Sequence, residues 1–100
     1  MEGTQKFDIQ KIPFRDEKYP ERLKVCENMP EQLYLKGVFP ENQKPTAAIV
    51  GARASSAYGR IQAFQYAREL SRAGVQIISG MAYGIDTEAH KGALEGGTPT

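Results

Sequence analysis

The 100-residue sequence has no tryptophan, one cysteine (Cys26), one histidine (His90) and no long apolar run. A lone cysteine cannot close an intramolecular disulfide. With no secretory leader and no membrane-length segment, the chain reads as cytoplasmic and Cys26 as a bland thiol. Cys26 and His90 are far apart in the chain, so no metal-ligand cluster is expected. His90 has neither a nucleophile nor a metal beside it, and no catalytic residue is assigned. Neither sign of charge dominates: 13 Lys and Arg stand against 12 Asp and Glu, a formal net charge of +1. No membrane or nucleic-acid partner is demanded by the whole, and any anion site has to be local. Two phosphate signatures are also absent. There is no G-x-G-x-x-G followed by an acidic strand end, and no G-x-x-x-x-G-K-[ST]. Nicotinamide and P-loop chemistry are disfavoured, and no cofactor is expected.

What is present is concentrated between Thr46 and Asp86. An apolar run, Ala47 to Val50, stops at Gly51 and gives way to a short polar loop. An amphipathic stretch follows, then a second apolar run, Val75 to Ile78, which ends at Ser79 and Gly80. The order is strand, loop, helix, strand, loop, helix, which predicts an α/β fold with a doubly wound, mainly parallel sheet. Both loops and both helix N-termini then meet at the C-terminal edge of the strands, where such folds bind ligands and where helix dipoles favour anions.

The first helix is predicted from about Ser56 to Gly74. Ala57, Ala63, Phe64, Ala67 and Leu70 share the arc expected to lie on the sheet, and Gln62, Gln65, Glu69 and Arg72 face away. Ser55 or Ser56 is the N-cap, Gly74 suits the C′ position, and Gly59 signals a close backbone approach. Arg60 lies within the apolar arc, either snorkelling or bent toward the helix start. The second helix is predicted over Asp86 to Gly96, with Asp86 as N-cap and Glu88, Lys91 and Glu95 outward. His90 points inward and braces the preceding loop. Thr98 to Thr100 begin a third main strand.

At the strand edge, Arg53 stands just past a strand, among small residues with accessible N–H groups and near the hydroxyls of Ser55, Ser56 and Ser79. This set suits a phosphate held by a bidentate guanidinium and by backbone donors. The other reading of the same residues is that Gly51 and Gly80 only make tight turns. Tyr58 and Tyr83 are the aromatics of the two loops. Tyr83 is the better placed to stack on a base, while Tyr58 is expected to pack beneath its loop.

Residues 1–45 read as a lead-in that packs along the main sheet. Residues 1–7 are expected to fray. Phe7, Ile9 and Ile12 mark an extended piece ending at Pro13. Pro20 opens a helical turn from Glu21 to Val25, and Leu33 and Leu35 lie on one side of a second extended piece with Tyr34 on the other.

Several of these stretches resemble a known family. They are Tyr19-Pro20 with Leu23, Leu-Tyr-Leu-Lys-Gly (33–37), Ile-Val-Gly-Ala-Arg (49–53), Tyr-Gly (58–59) and, above all, Ser-Gly-Met-Ala-Tyr-Gly-Ile-Asp followed by Ala-His and Gly-Ala-Leu (79–94). The chain from about residue 15 to residue 100 is similar to the DNA-processing protein A (DprA/Smf) family. The resemblance implies a Rossmann-like domain, incomplete here, with residues 46–100 as its first half. It also implies binding of single-stranded DNA without sequence preference, loading of the RecA recombinase during natural transformation, no catalysis, and a homodimer for the full-length protein. Carried over residue by residue, Gly51 and Arg53 match the first phosphate loop, and Ser79, Gly80, Gly84 and Asp86 match the second. Ala52 stands where the family has Ser or Thr. The expected contact set is therefore Gly51, Ala52, Arg53, Ser55, Ser79, Gly80, Tyr83 and Gly84, supported by Gly59, Asp86 and His90. The family domain continues past the point where this chain stops, so the sequence is expected to be a piece of a longer protein or a truncated reading frame. The rival function is a nucleotide-binding enzyme of a related Rossmann-like group that hydrolyses nucleoside monophosphates, or a nucleotide-sensing module.

Overall fold

A computed structural model describes residues 8–100. The expectations that residues 1–7 fray and that Phe7 opens the first extended piece lie outside the described residues. The described chain forms two compact units that divide after Asn42.

In the first unit, β1 (Ile9–Pro13) and β2 (Gln32–Lys36) pair antiparallel, Ile12 opposite Leu33 and Ile9 opposite Lys36. The Phe14 N–H extends the ladder to the Glu31 carbonyl at 2.8 Å. These strands form a two-stranded sheet of their own, separate from the β3–β4 ladder. Ile9 and Ile12 are an odd number of residues apart and so point to opposite faces of a strand. Ile12 is buried and Ile9 is 67 % exposed, so the sequence pattern overstated β1 burial. Leu33 and Leu35 are half-buried and Tyr34 is exposed, as their alternation predicts. Pro20 is the N-cap of the short α1 (Glu21–Lys24). Tyr19, just before it, is buried, meets Phe14 edge to face with ring centroids 5.4 Å apart, and donates its hydroxyl to the Pro30 carbonyl at 2.6 Å.

The second unit follows the predicted order: β3 (Thr46–Ala48), α2 (Ala57–Arg72), β4 (Gln76–Ile78) and α3 (Ile85–Gly96). β3 and β4 are parallel, with Ala47 opposite Ile77, and the Ile49 N–H continues the ladder to the Ile78 carbonyl. Ser56 caps α2 through its hydroxyl, which accepts from the Gly59 N–H at 3.0 Å. At the other end Val75 N–H bonds the Leu70 carbonyl and Gly74 N–H the Ser71 carbonyl, each at 2.9 Å, with Gly74 at φ +91°. This is the paired Schellman closure, and it requires the left-handed conformation glycine adopts without cost.

Ile77 forms one buried cluster with Ala67 of α2 and with Ala89 and Ala93 of α3, so both helices lie over the same face of β4. Ala47 and Ile49 alternate with Ala48 and Val50 in burial, as a one-sided sheet requires. The buried line of α2 is Ala63, Ala67 and Ser71, and Ala57, assigned to the sheet face by periodicity, is exposed. The face is rotated because α2 packs against α3 as well as the sheet. Glycines make that crossing close. A Cβ on Gly92 would collide with the Phe64 carbonyl oxygen and sit 2.9 Å from the Ala67 Cβ, and one on Gly96 would sit 2.5 Å from the Ser71 Cβ. Ser71, buried in the crossing, donates to the Ala93 carbonyl at 2.8 Å and accepts the Thr98 N–H at 2.9 Å.

Thr98 to Thr100 are not a strand. They run beside β4 through side chains instead of a backbone ladder, with the Thr98 hydroxyl on the Val75 carbonyl at 3.5 Å and the Thr100 hydroxyl on the Ile77 carbonyl at 2.7 Å.

Candidate nucleic-acid interface

Two loops meet at the C-terminal ends of β3 and β4, and Asp86 joins them. Its Oδ1 accepts the Gly51 N–H at 3.1 Å and its Oδ2 the Gly80 N–H at 2.9 Å, with only 5 % of the residue exposed. Asp86 is therefore not the N-cap of α3. That position is Gly84, which offers no side chain, and Asp86 is the second residue of the helix, within its first turn, where a carboxylate also meets the positive end of the helix. Burial pushes the Asp86 carboxyl up. The backbone N–H groups around it, those of Gly51 and Gly80 first, outweigh that and leave the carboxyl below its ordinary value near 3.8.

A carboxyl depressed in the folded chain contributes stability at pH values above its unfolded value, and that contribution is lost as pH falls through the folded value. Acid titration followed by circular dichroism is expected to show the loops losing this tie only below about pH 3.8. Asp86→Asn should remove that acid-side dependence. An unchanged acid profile in the variant would mean the carboxylate is not what joins the loops.

The glycines are explained by the interlock. A Cβ on Gly51 would lie 2.7 Å from Ile85 Cγ1, and one on Gly80 would lie 2.7 Å from Asp86 Oδ2. Gly84, at φ +83°, packs its Cα into the Ala52 and Arg53 carbonyls, each 2.6 Å from where a Cβ would be. The Ile85 N–H approaches the Ala52 carbonyl at 3.5 Å. Gly59 is approached less tightly than these: a Cβ there would lie 3.3 Å from Ser56 Oγ and 3.4 Å from Ile85 Cδ1, both side-chain atoms.

Of the donors expected to face a phosphate, several are engaged internally. The Gly51 and Gly80 N–H groups go to Asp86, and the Ser79 hydroxyl donates to the Ile49 carbonyl at 2.6 Å. Ser55 is half-buried, with its carbonyl and hydroxyl both taken by Arg60 Nη1 at 2.5 and 3.5 Å. Arg60 thus bends to the helix start and braces the loop. What faces outward is Ala52, the Arg53 side chain and the aromatics. Among the described residues Arg53 has no ion-pair or hydrogen-bond partner for its guanidinium. Tyr83 is 80 % exposed, and Tyr58, expected beneath its loop, is 72 % exposed, because its helix position turns it away from α3.

His90 does not brace the loop. Its Nδ1 lies 2.8 Å from the Thr100 hydroxyl, which itself donates to the Ile77 carbonyl, so His90 ties α3 to the residues beside β4. Its Nε2 is buried without a partner among the described residues. Loop bracing falls instead to Asp86, Arg60 and Thr87, whose hydroxyl donates to the Ala82 carbonyl at 2.7 Å. Sequence reasoning did not single out Met81, 82 % exposed and at φ +61°. A left-handed backbone costs a non-glycine residue roughly 1 kcal/mol, and its only signal in the sequence was the glycine-rich stretch around it. None of the described helices is long and apolar enough to cross a membrane.

Comparison with known proteins places this geometry. Residues 10–100 match the family model of DNA recombination-mediator protein A. Protein Smf of Escherichia coli is 38 % identical over 84 residues, which is 84 % of this chain and 22 % of that protein. The X-ray structure of DNA processing protein A from Streptococcus pneumoniae superposes with a TM-score of 0.73 at 30 % identity, covering 97 % of this chain and 34 % of that one. The Helicobacter pylori DNA processing protein A, whose structure concerns its single-stranded DNA binding mode, superposes with a TM-score of 0.69 at 27 % identity over 88 % of this chain and 40 % of that one. The chain spans about a fifth to a third of the length of the curated relatives it matches. With the match running through both loops and the Asp86 interlock, the chain belongs to the DNA recombination-mediator protein A family.

Proposed function

We propose that this chain supplies part of a single-stranded-DNA-binding edge, with Arg53 as its principal phosphate contact. The observation that carries the reading is the Arg53 guanidinium, exposed on the loop after β3 and without a partner among the described residues, beside an interlock that fixes the loop below it. A cation on a fixed loop takes a phosphate without a further cost of ordering the backbone, and the exposed Tyr83 and Tyr58 offer ring faces to bases. The Helicobacter pylori relative supports the substrate class. In this reading residues 46–100 form the first half of a Rossmann-like domain, 1–45 are a lead-in, and Gly51, Ser79, Gly80 and Gly84 shape the edge without donating to DNA. RecA loading and a homodimer are roles of the full-length protein, and no residue here is assigned catalysis.

The test is to incubate the full chain with a labelled oligonucleotide and, separately, with adenosine monophosphate. The expected outcome is a bound, intact strand whose affinity changes little between thymine-rich and adenine-rich sequences, and no free adenine. Release of adenine would replace this reading with a nucleotide hydrolase. Strands left unbound at low salt would remove it.

A further inference from the structure

We infer that Asp86 acts as a built-in anion that closes the strand edge to the phosphate of a mononucleotide, so that the edge accepts a strand only at its outer rim. The inference rests on the strand-binding reading for its second half. Two glycine loops ending parallel strands, followed by a helix N-terminus, are the usual setting for a nucleotide phosphate in α/β folds, where backbone N–H groups supply the donors. Here the central donors are spent. Gly51 N–H and Gly80 N–H, one from each loop, point at the two oxygens of one carboxylate, at 3.1 and 2.9 Å.

Space is spent as well as hydrogen bonds. Gly80 lies so close to Asp86 that a Cβ there would fall 2.7 Å from Oδ2, and Gly84 is pressed onto the Ala52 and Arg53 carbonyls. The Ser79 hydroxyl, which would otherwise be a third donor, is turned to the Ile49 carbonyl. A phosphate seeking this position would meet a negative charge, no free donor on either glycine and no room. Arg53 lies outside the interlock and has no such conflict. A strand offers many phosphates and several bases to a rim of Arg53, Tyr58 and Tyr83, whereas a mononucleotide offers one phosphate and gains little there. Asp86 is in this sense a specificity-determining residue, separating a DNA strand from free nucleotides of the same chemistry.

The test uses the full chain and adenosine monophosphate, read by backbone amide shifts. In the parent, the nucleotide should leave the Gly51 and Gly80 amide resonances unmoved at concentrations that saturate the variant. Asp86→Ala, which frees both donors and removes the charge, should bind the nucleotide about tenfold more tightly or better, with those two amides shifting. Asp86→Asn keeps the side-chain volume. It can still accept one of the two N–H groups, and it should show a smaller gain on the glycine left over. The parent measurement and the asparagine variant decide by themselves, whether or not the alanine variant folds. Shifts of the Gly51 and Gly80 amides in the parent overturn the inference, as does a folded variant with no gain in nucleotide affinity. If the parent fails to bind strands while those amides stay unmoved, the strand-binding reading falls and the closed edge stands.

Discussion

Gly92→Val is expected to destabilise the chain by about 3 kcal/mol or more, the upper range for forcing volume into a packed interior. The obstacle is backbone. A side chain at 92 meets the Phe64 carbonyl oxygen and the Arg68 amide nitrogen, the latter 3.0 Å from the Cβ position, and neither can rotate away. The helices would have to separate, and that would open the cluster of Ala67, Ile77, Ala89 and Ala93 and strip Ser71 of its bond to the Ala93 carbonyl. Even Gly92→Ala should lose stability, because the gain of about 1 kcal/mol in helix propensity is smaller than the overpacking cost. Gly59→Ala is the control. Its neighbours stand 3.3 and 3.4 Å off, so the propensity gain should about balance a slight adjustment. Urea unfolding of the three variants checks this, and a Gly92→Val midpoint equal to the parent's would mean that α2 and α3 do not cross at Gly92.

Arg53→Ala should weaken single-strand binding by about 1.5 to 3 kcal/mol, roughly tenfold to a hundredfold, the cost of a lost charge-assisted contact. The magnitude rests on rigidity. The loop that carries Arg53 is tied at Gly51 to Asp86 and at Ser55 to Arg60, and its Ala52 and Arg53 carbonyls pack against Gly84, so truncating the side chain leaves the loop in place. The loss should be the same for all base compositions, since a phosphate carries no sequence information. Arg72 is the control. It lies exposed on α2, 3.6 Å from Glu69, and its truncation should leave affinity unchanged.

The order of elements from β3 to α3 was legible because apolar runs, a glycine after each strand and a capping serine are local signals. Ser56 and Gly74 do what their positions predict. Less was visible where the cause is a partner distant in sequence. Asp86 looked like an N-cap because it opens an apolar stretch, but its partner Gly51 is 35 residues away and no local rule couples them. The tight crossing of α2 and α3 was hidden because Gly92 and Gly96 add nothing to a hydrophobic arc, though they decide how near the helices approach. His90 was assigned to the loop by proximity along its helix, and the Thr100 hydroxyl claims it instead. The separate β1–β2 sheet was missed because alternation reveals an extended piece without revealing what it pairs with. At the edge, residue types pointed to an anion beside the glycines, and the anion that the structure puts there is the chain's own Asp86 carboxylate, which no local pattern announces.

The most direct measurement of the central claim is the salt dependence of single-strand binding by the full chain, comparing the parent with Arg53→Ala. If Arg53 neutralises one phosphate, the slope of log affinity against log salt becomes shallower by about 0.7 in the variant, the value for one contact on a single strand. Arg72→Ala keeps the parental slope. An Arg53→Ala variant with the parental affinity and the parental slope would contradict the account, leaving the loops at this edge as structural turns with no phosphate contact at Arg53.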